Sequence, residues 1–293
     1  MERASNPRTV VLFPGALGDL LLALPALRAL RAGDATAHHV VAVNGALTGL
    51  ATVARLADEV ASFDDADTAG LFGGSSMPHW FGVRPRVHAW IGARDPATRA
   101  ALARVVSSAT FHRVVRDDGP DHAAVAYAEQ VGVDVDRATL AAGARIVPPA
   151  SERVDAVLRT ARRPVLALHA GAGSAAKRWD PDGFAAVAAE WARRGDVLEL
   201  VGPADHELPA LGGSRRLIDW SLPDLAALLA GVDAYVGNDS GVSHLAAAVG
   251  ARGAAVFVAT RAGRWAPLGA RVVAITHRDA HTPRAVLTTL ARP

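Results

Sequence analysis

The chain of 293 residues contains no cysteine, which excludes disulfide scaffolds, thiolate zinc sites and cysteine nucleophiles together. Aromatic residues make up only 5%, two of them tyrosine. No apolar run approaches the roughly 20 uncharged residues that a membrane-spanning helix needs. Lysine is almost missing: Lys177 is the only one among 31 basic residues, and arginine supplies the rest. That skew, with abundant alanine and glycine, fits a GC-rich coding bias in which arginine takes every generic cationic position. A lysine that persists against it marks a place where an ammonium has a particular task. Formal net charge is +2 and no basic run of five or six residues occurs, so nucleic acid is not an expected partner. The balance does suit a mildly positive cleft for an anionic small molecule.

What is present is an ordinary globular composition, 51% hydrophobic and 20% charged, long enough for about two domains. The apolar stretch that begins at Val10 mimics a signal peptide, but Pro14, Gly15, Gly18 and Asp19 interrupt it. A buried first strand followed by a loop accounts for it better, so the expected location is cytoplasmic. Short apolar runs then alternate with helical patterns. Strands are expected at Thr9–Phe13, His39–Val43, Val87–Ile91 and Arg113–Arg116, with helices at Asp19–Arg31, Leu47–Leu56, Ala97–Val106 and Asp121–Val131. The pattern breaks at Pro148-Pro149, a linker signal, giving one lobe over 1–149 and a second over 150–293. In the second, strands are expected at Val165–His169, Val197–Val201, Ala234–Val236, Ala254–Val258 and Val272–Ile275. Helices fall at Gly183–Arg193, Leu222–Ala230 and Ser243–Val249, and a last one starts at Thr282-Pro283, with the option of packing back on the first lobe. Alternating β and α predicts an α/β fold of parallel sheets covered on both faces, as two Rossmann-like lobes facing a cleft.

Three loops carry chemistry. Pro14-Gly15-Ala16-Leu17-Gly18-Asp19 joins the first strand to the first helix. Its glycines permit close backbone approach to a ligand, and the helix start offers free N–H donors. Asp19 has two readings: a helix cap, or a general base at the carboxyl end of a strand, where open α/β sheets hold ligands. His169–Trp179 is the second loop, with Ser174 as a hydroxyl donor and Lys177 as a point charge for phosphate. It is neither a Walker A loop nor Gly-x-Gly-x-x-Gly. A solvated lysine on a surface loop is the alternative. Gly237–His244 is the third, in which amides from Ser240 to Ser243 point at an anion and Asp239 accepts from sugar hydroxyls. The bland alternative makes Asp239 an N-cap and His244 a core histidine. Adjacent Asp239-Ser240 without a Gly-x-Ser-x-Gly elbow argues against a hydrolase. No histidine or aspartate spacing suggests a metal site. Chemistry without metal then needs cationic and backbone donors to stabilise a leaving diphosphate, a task suited to Lys177 and the helix start after Asp239.

Taken in order, these segments resemble glycosyltransferase family 9, the ADP-heptose:lipopolysaccharide heptosyltransferases. The matching residues are Gly15-Ala16-Leu17-Gly18-Asp19 with Pro25, His169–Trp179 with Lys177 and Trp179, and Val201-Gly202-Pro203 with His206-Glu207. Gly237–His244 with Leu245–Ala248, then Trp265-Ala266-Pro267, complete the set. The resemblance implies a GT-B fold and inverting, metal-independent transfer from an ADP-activated sugar to a saccharide or glycolipid, as in lipopolysaccharide biosynthesis. It implies no cofactor, and at most peripheral association with membranes. By the same resemblance Asp19 is the catalytic base and Lys177 contacts the donor diphosphate. Gly18, Ser174, Asp239, Ser240, Gly241 and His244 belong to the donor site, and Glu207 is expected at the adenosine ribose.

Two departures stand out. Ala170 replaces a frequent proline, and the segment between Ala57 and Val133 looks reduced in the lobe that holds the acceptor. Met77–Trp90 is either an acceptor-contacting segment or a buried loop packing His79, Trp80 and Phe81. Rival functions are an enzyme of this fold using another nucleotide sugar, an epimerase, and a non-catalytic nucleotide-sugar-binding subunit.

Overall fold

The computed structural model describes residues 7–73, 77–116, 118–134, 136–276 and 281–291. The first half runs β1 (Arg8–Leu12), α1 (Leu17–Gly33), β2 (His38–Val43), α2 (Thr48–Val53), β3 (Glu59–Ser62), α3 (Ala66–Gly73), β4 (Arg86–Ala89), α4 (Pro96–Val105) and β5 (Ser108–Phe111). Helices α5 (Ala123–Gln130) and α6 (Arg137–Gly143) follow. The second half begins with α7 (Glu152–Thr160), β6 (Leu166–His169), α8 (Pro181–Ala192), β7 (Val197–Val201), β8 (Ser214–Ile218) and α9 (Leu222–Gly231). It ends with β9 (Ala234–Asn238), α10 (Gly241–Ala248), β10 (Gly253–Val256), α11 (Ala262–Trp265), β11 (Val272–Ile275) and α12 (Pro283–Ala291).

Two parallel sheets result, in the orders β3-β2-β1-β4-β5 and β11-β10-β9-β6-β7-β8. In each, the first strand of the half sits inside the sheet with later strands on both sides. Chain direction therefore reverses beside β1 and beside β6, and a crevice opens at the carboxyl ends of those strands. The first two Gly-rich loops leave from there.

Strand periodicity explains the layering. Val11, Phe13, Val41 and Val43 face one core, while Val10, Leu12, Val40 and Ala42 face the other side of the same sheet. In the second sheet Ala167, Leu198, Leu200 and Tyr235 point inward, and Leu166, Leu168, Val197 and Val236 outward. Burial on both faces is why these strands read as unbroken apolar runs. The inward residues of both sheets belong to one continuous core, joined through α1 and α10. Leu20 to Leu24 of α1 are at most 2% exposed, which explains an almost uniformly apolar helix. Local caps set the boundaries elsewhere: Asp95 before Pro96, Asp180 before Pro181, and Thr282, which accepts from the Ala285 amide.

Several expectations are corrected. Arg113–Arg116 is not a strand; the edge strand is Ser108–Phe111, paired with β4 alone. The chain leaves the sheet after His112, and of Arg113–Arg116 only Val115 is buried. Short β3 and the charged edge strand β8 have no full apolar run to announce them. The proline segment is pinned, because the Ile146 amide donates to the Ala248 carbonyl at 2.9 Å. Helix α12 packs on α8 and β10, on its own half rather than back on the first. Trp80 and Phe81 are at most 2% exposed in the outer core of the first sheet, so these two pack inward, whereas His79, expected to pack with them, is exposed.

Helices α1 and α10 meet at their starts through glycine. A Cβ on Gly241 would lie 2.7 Å from Leu17 Cβ, and one on Gly18 would lie 3.2 Å from His244 Cδ2. Gly241→Ala is expected to destabilise the protein by about 1–3 kcal/mol through overpacking. Gly33→Ala, at the open end of α1 with nothing within 4 Å, is expected to be neutral or slightly stabilising. Urea denaturation of both variants checks the contrast.

Candidate active site

Asp19 lies in the first turn of α1. The extended residue before that helix is Ala16, whose side chain cannot cap, so Asp19 reaches back and its Oδ2 accepts the Ala16 amide at 3.3 Å. Its other oxygen, Oδ1, accepts the Tyr127 hydroxyl of α5 at 3.2 Å, from 108 residues away. Asp19 thus caps the helix with one oxygen and accepts from a distant side chain with the other. Burial raises the Asp19 pKa; the Tyr127 hydroxyl, the Ala16 amide and the Lys177 ammonium offset this only in part. The result is a carboxylate more basic than an ordinary aspartate. Tyr127 is itself buried, and burial followed by the adjacent carboxylate raises its pKa, so it stays a neutral donor.

Lys177 is the last residue of a 3-10 turn, Ala175–Lys177, in the second loop, and its Nζ lies 2.9 Å from Asp239 Oδ2. The Thr260 hydroxyl donates to the same oxygen at 2.5 Å. Asp239 is only 4% exposed, whereas Lys177 keeps a third of its side chain open. The lysine is thus tethered at its head yet reachable, and Asp239 is not a helix cap. The residue that precedes α10 is Ser240, and no side chain caps that helix. His244, one turn in, is 5% exposed with Nδ1 unpartnered. Burial lowers its pKa to about 4, with Asp239 opposing and His122 and Lys177 reinforcing the shift. It is a neutral imidazole at neutral pH.

The Ser240 hydroxyl faces His169 Nδ1 at 3.3 Å, and His169 Nε2 faces Asp205 Oδ2 at 3.4 Å. Arg178 continues the chain to Asp205 at 3.3 Å and to Glu207 at 3.5 Å. Burial alone would raise the Asp205 pKa, but His169 and Arg178 more than offset it and hold it below the usual value. Asp205 also fills the space where Gly171 has no side chain, which fixes the second loop against β7.

Beside these groups lies a cavity of about 330 Å³, walled by Leu200, Val201, Leu217, Trp220, Leu222 and Leu225. Gly18, His169, Asp205, Ser240 and Gly241 form its polar rim. An apolar slot with a few convergent polar groups suits a flat heterocycle whose charged tail leaves at the rim. Glu207 does not line it: the side chain is exposed and held by Arg178, and Asp205 takes the inner position. Ser174 is exposed on the loop rim. Asp19, Gly18, Lys177, Asp239, Ser240, Gly241 and His244 do converge. Tyr127, Asp205, Thr260 and Trp220 were not foreseen; the scarcity of tyrosine was the one available signal for Tyr127. Among the described residues no group of three His, Cys, Asp or Glu side chains is arranged for a metal ion. No described helix is long and apolar enough to cross a membrane.

A family model described as glycosyltransferase family 9 (heptosyltransferase) matches residues 100–292. No curated protein matches by sequence. Among solved structures, the ADP-heptose lipopolysaccharide heptosyltransferase II of E. coli superimposes with a TM-score of 0.72 at 19% identity, covering 97% of each chain. A glycosyltransferase family 9 structure from Veillonella parvula gives 0.72 at 19%, over 99% of this chain and 92% of that one. E. coli heptosyltransferase WaaC with ADP gives 0.66 at 15%, over 96% and 98%. These likenesses show the fold, the two-sheet GT-B architecture.

Tyr127→Phe removes a hydrogen bond that favours the Asp19 carboxylate over its acid form. Since that bond lowers the pKa, the variant's Asp19 is expected to titrate at higher pH than in the wild type. Carbon-13 NMR titration of the Asp19 carboxyl checks the direction; a downward shift would contradict it.

Proposed function

The chain belongs to glycosyltransferase family 9, and on that basis we propose that it moves a heptose or related sugar from an ADP-sugar to a hydroxyl of a saccharide or glycolipid, with inversion and without a metal. The observation that carries this is Asp19, with its raised pKa, within electrostatic reach of Lys177 and next in sequence to Gly18, which lines the apolar cavity. The adenine is assigned to the slot beside Trp220. Its diphosphate is assigned to the rim, beside Lys177 and the uncapped start of α10, where an anion meets an ammonium and backbone amides.

The acceptor hydroxyl gives its proton to Asp19 as its oxygen bonds to the anomeric carbon from the face opposite the diphosphate. The bond from that carbon to the diphosphate oxygen breaks, and its electron pair leaves with ADP. Backside displacement inverts the anomeric centre. A carboxylate of raised pKa suits a general base, because its proton affinity increases. Lys177 supplies positive charge where negative charge grows. Asp239 holds that ammonium in place, and Ser240, positioned by His169, adds a polar contact at the phosphates.

Asp19→Asn is expected to abolish transfer while keeping ADP binding. A folded-state pKa raised above the unfolded value means that the ionised carboxylate disfavours folding above both values. The same variant is therefore expected to melt no lower than wild type at pH 7. Unchanged turnover would sink the base assignment. ADP-sugars, unlike UDP-sugars, are expected to raise the melting temperature, by an amount equivalent to about 2.7 kcal/mol at one hundred times Kd. Lys177→Ala is expected to weaken ADP far more than adenosine, and EDTA to leave turnover unchanged.

A further inference from the structure

Ser240, His169 and Asp205 stand in one line of side chains, and all three border the apolar cavity. The Ser240 hydroxyl lies 3.3 Å from His169 Nδ1, and His169 Nε2 lies 3.4 Å from Asp205 Oδ2. Each residue is at most 8% exposed. A carboxylate only accepts, so Asp205 keeps the ring proton on Nε2 and leaves the Nδ1 lone pair toward Ser240. Hydroxyl, imidazole and orienting acid in series are the groups that activate a serine nucleophile. Either ring nitrogen serves as the base once the other carries the proton. Both distances are long, as those of nucleophile and base commonly are before a substrate tightens them.

The backbone around the serine supplies what else acyl chemistry needs. Ser240 stands on the turn between β9 and α10, with Gly241 directly after it. Strand, turn and helix in that order present a serine at the carboxyl end of a parallel sheet. No side chain caps α10, so the amides of Gly241 and Val242 have no partner inside the helix. The amide that follows the serine is the one that can meet a carbonyl oxygen as it turns negative. Leu200, Leu217, Leu222 and Leu225 wall the cavity, an enclosure suited to an acyl chain or an aromatic ring. Lack of Gly-x-Ser-x-Gly excludes one signature and not the arrangement, which recurs on unrelated folds in different chain orders. Here the order is histidine, acid, serine.

We infer a second activity, hydrolysis of small carboxylic esters that carry an apolar acyl or aryl group, with Ser240 as nucleophile and His169 as base. Ser240 Oγ bonds to the ester carbonyl carbon while its proton passes to His169 Nδ1. The ester C–O bond then breaks, the leaving alcohol takes that proton, and the acyl group stays on Ser240. Water gives a proton to His169 and bonds to the acyl carbon. The bond to Ser240 Oγ breaks, Oγ recovers the proton, and the carboxylic acid departs. Asp205 positions His169 and touches no reacting atom. No nucleotide enters any step, so the inference stands apart from the sugar donor.

Steady-state release of p-nitrophenol from p-nitrophenyl butyrate, without nucleotide and against heat-denatured protein, tests it. Wild type is expected to turn over repeatedly above that control. Ser240→Ala and His169→Gln are expected to fall to the control rate while melting as folded proteins. Asp205→Asn is expected to lower kcat while KM holds. A fluorophosphonate probe is expected to label Ser240 in wild type, as read by peptide mass spectrometry, and to leave His169→Gln unlabelled. Wild-type turnover no faster than the control overturns the inference, as does turnover that survives Ser240→Ala. Butyryl or probe found on Lys177 or another side chain in place of Ser240 overturns it too. Should a variant fail to fold, turnover and labelling of the wild type decide alone.

Discussion

The close crossing of two helix starts is the constraint on which the site depends. Leu17 of α1 sits on Gly241 of α10, and His244 sits over Gly18. Any side chain larger than hydrogen at Gly241 would push the two starts apart. Because they meet, the carboxylate of one half comes within electrostatic reach of the ammonium of the other. The shared core behind them, from Leu20 of α1 to Leu245 of α10, keeps that spacing from depending on surface contacts alone. Geometry that catalysis needs is here a by-product of packing that folding needs.

Around the crossing, charge is arranged by depth. Asp239 is nearly sealed and carries two donors on one oxygen, so it anchors rather than reacts. Asp205 is likewise buried but paired, between His169 and Arg178. In Asp19 burial outweighs the partners, whereas in Asp205 the partners outweigh burial. Two aspartates near one cleft thus differ in proton affinity through their neighbours, the usual way in which one residue type is divided among tasks.

Much of this was legible in the sequence. Val197–Val201 and Val272–Ile275 match their strands residue for residue, because short runs rich in valine and isoleucine between turn residues favour strand. Loops between such runs announced Asp19, Lys177 and Asp239. Weak signals failed for physical reasons. Strand β8 carries Arg215 and Arg216 because an edge needs pairing on one side only. Val114 and Val115 suggested a strand where the chain had already left the sheet. Glu207, which the resemblance points to, is held outside by Arg178 while Asp205 lines the cavity, a choice of side that no local pattern encodes. Tyr127 meets Asp19 across 108 residues, a pairing that no periodicity encodes.

The near-absence of lysine has a practical corollary. The only side-chain amine in the protein is the one tethered to Asp239 at the cleft, a third of it open to solvent. Amine-directed reagents, which usually scatter label over a protein's surface, have here a single side-chain address, paired with Asp239. Acylation there would cancel the charge and free Asp239 from its counterion in one event. A spectroscopic tag attached at the same atom would report occupancy of the cleft without any engineered residue.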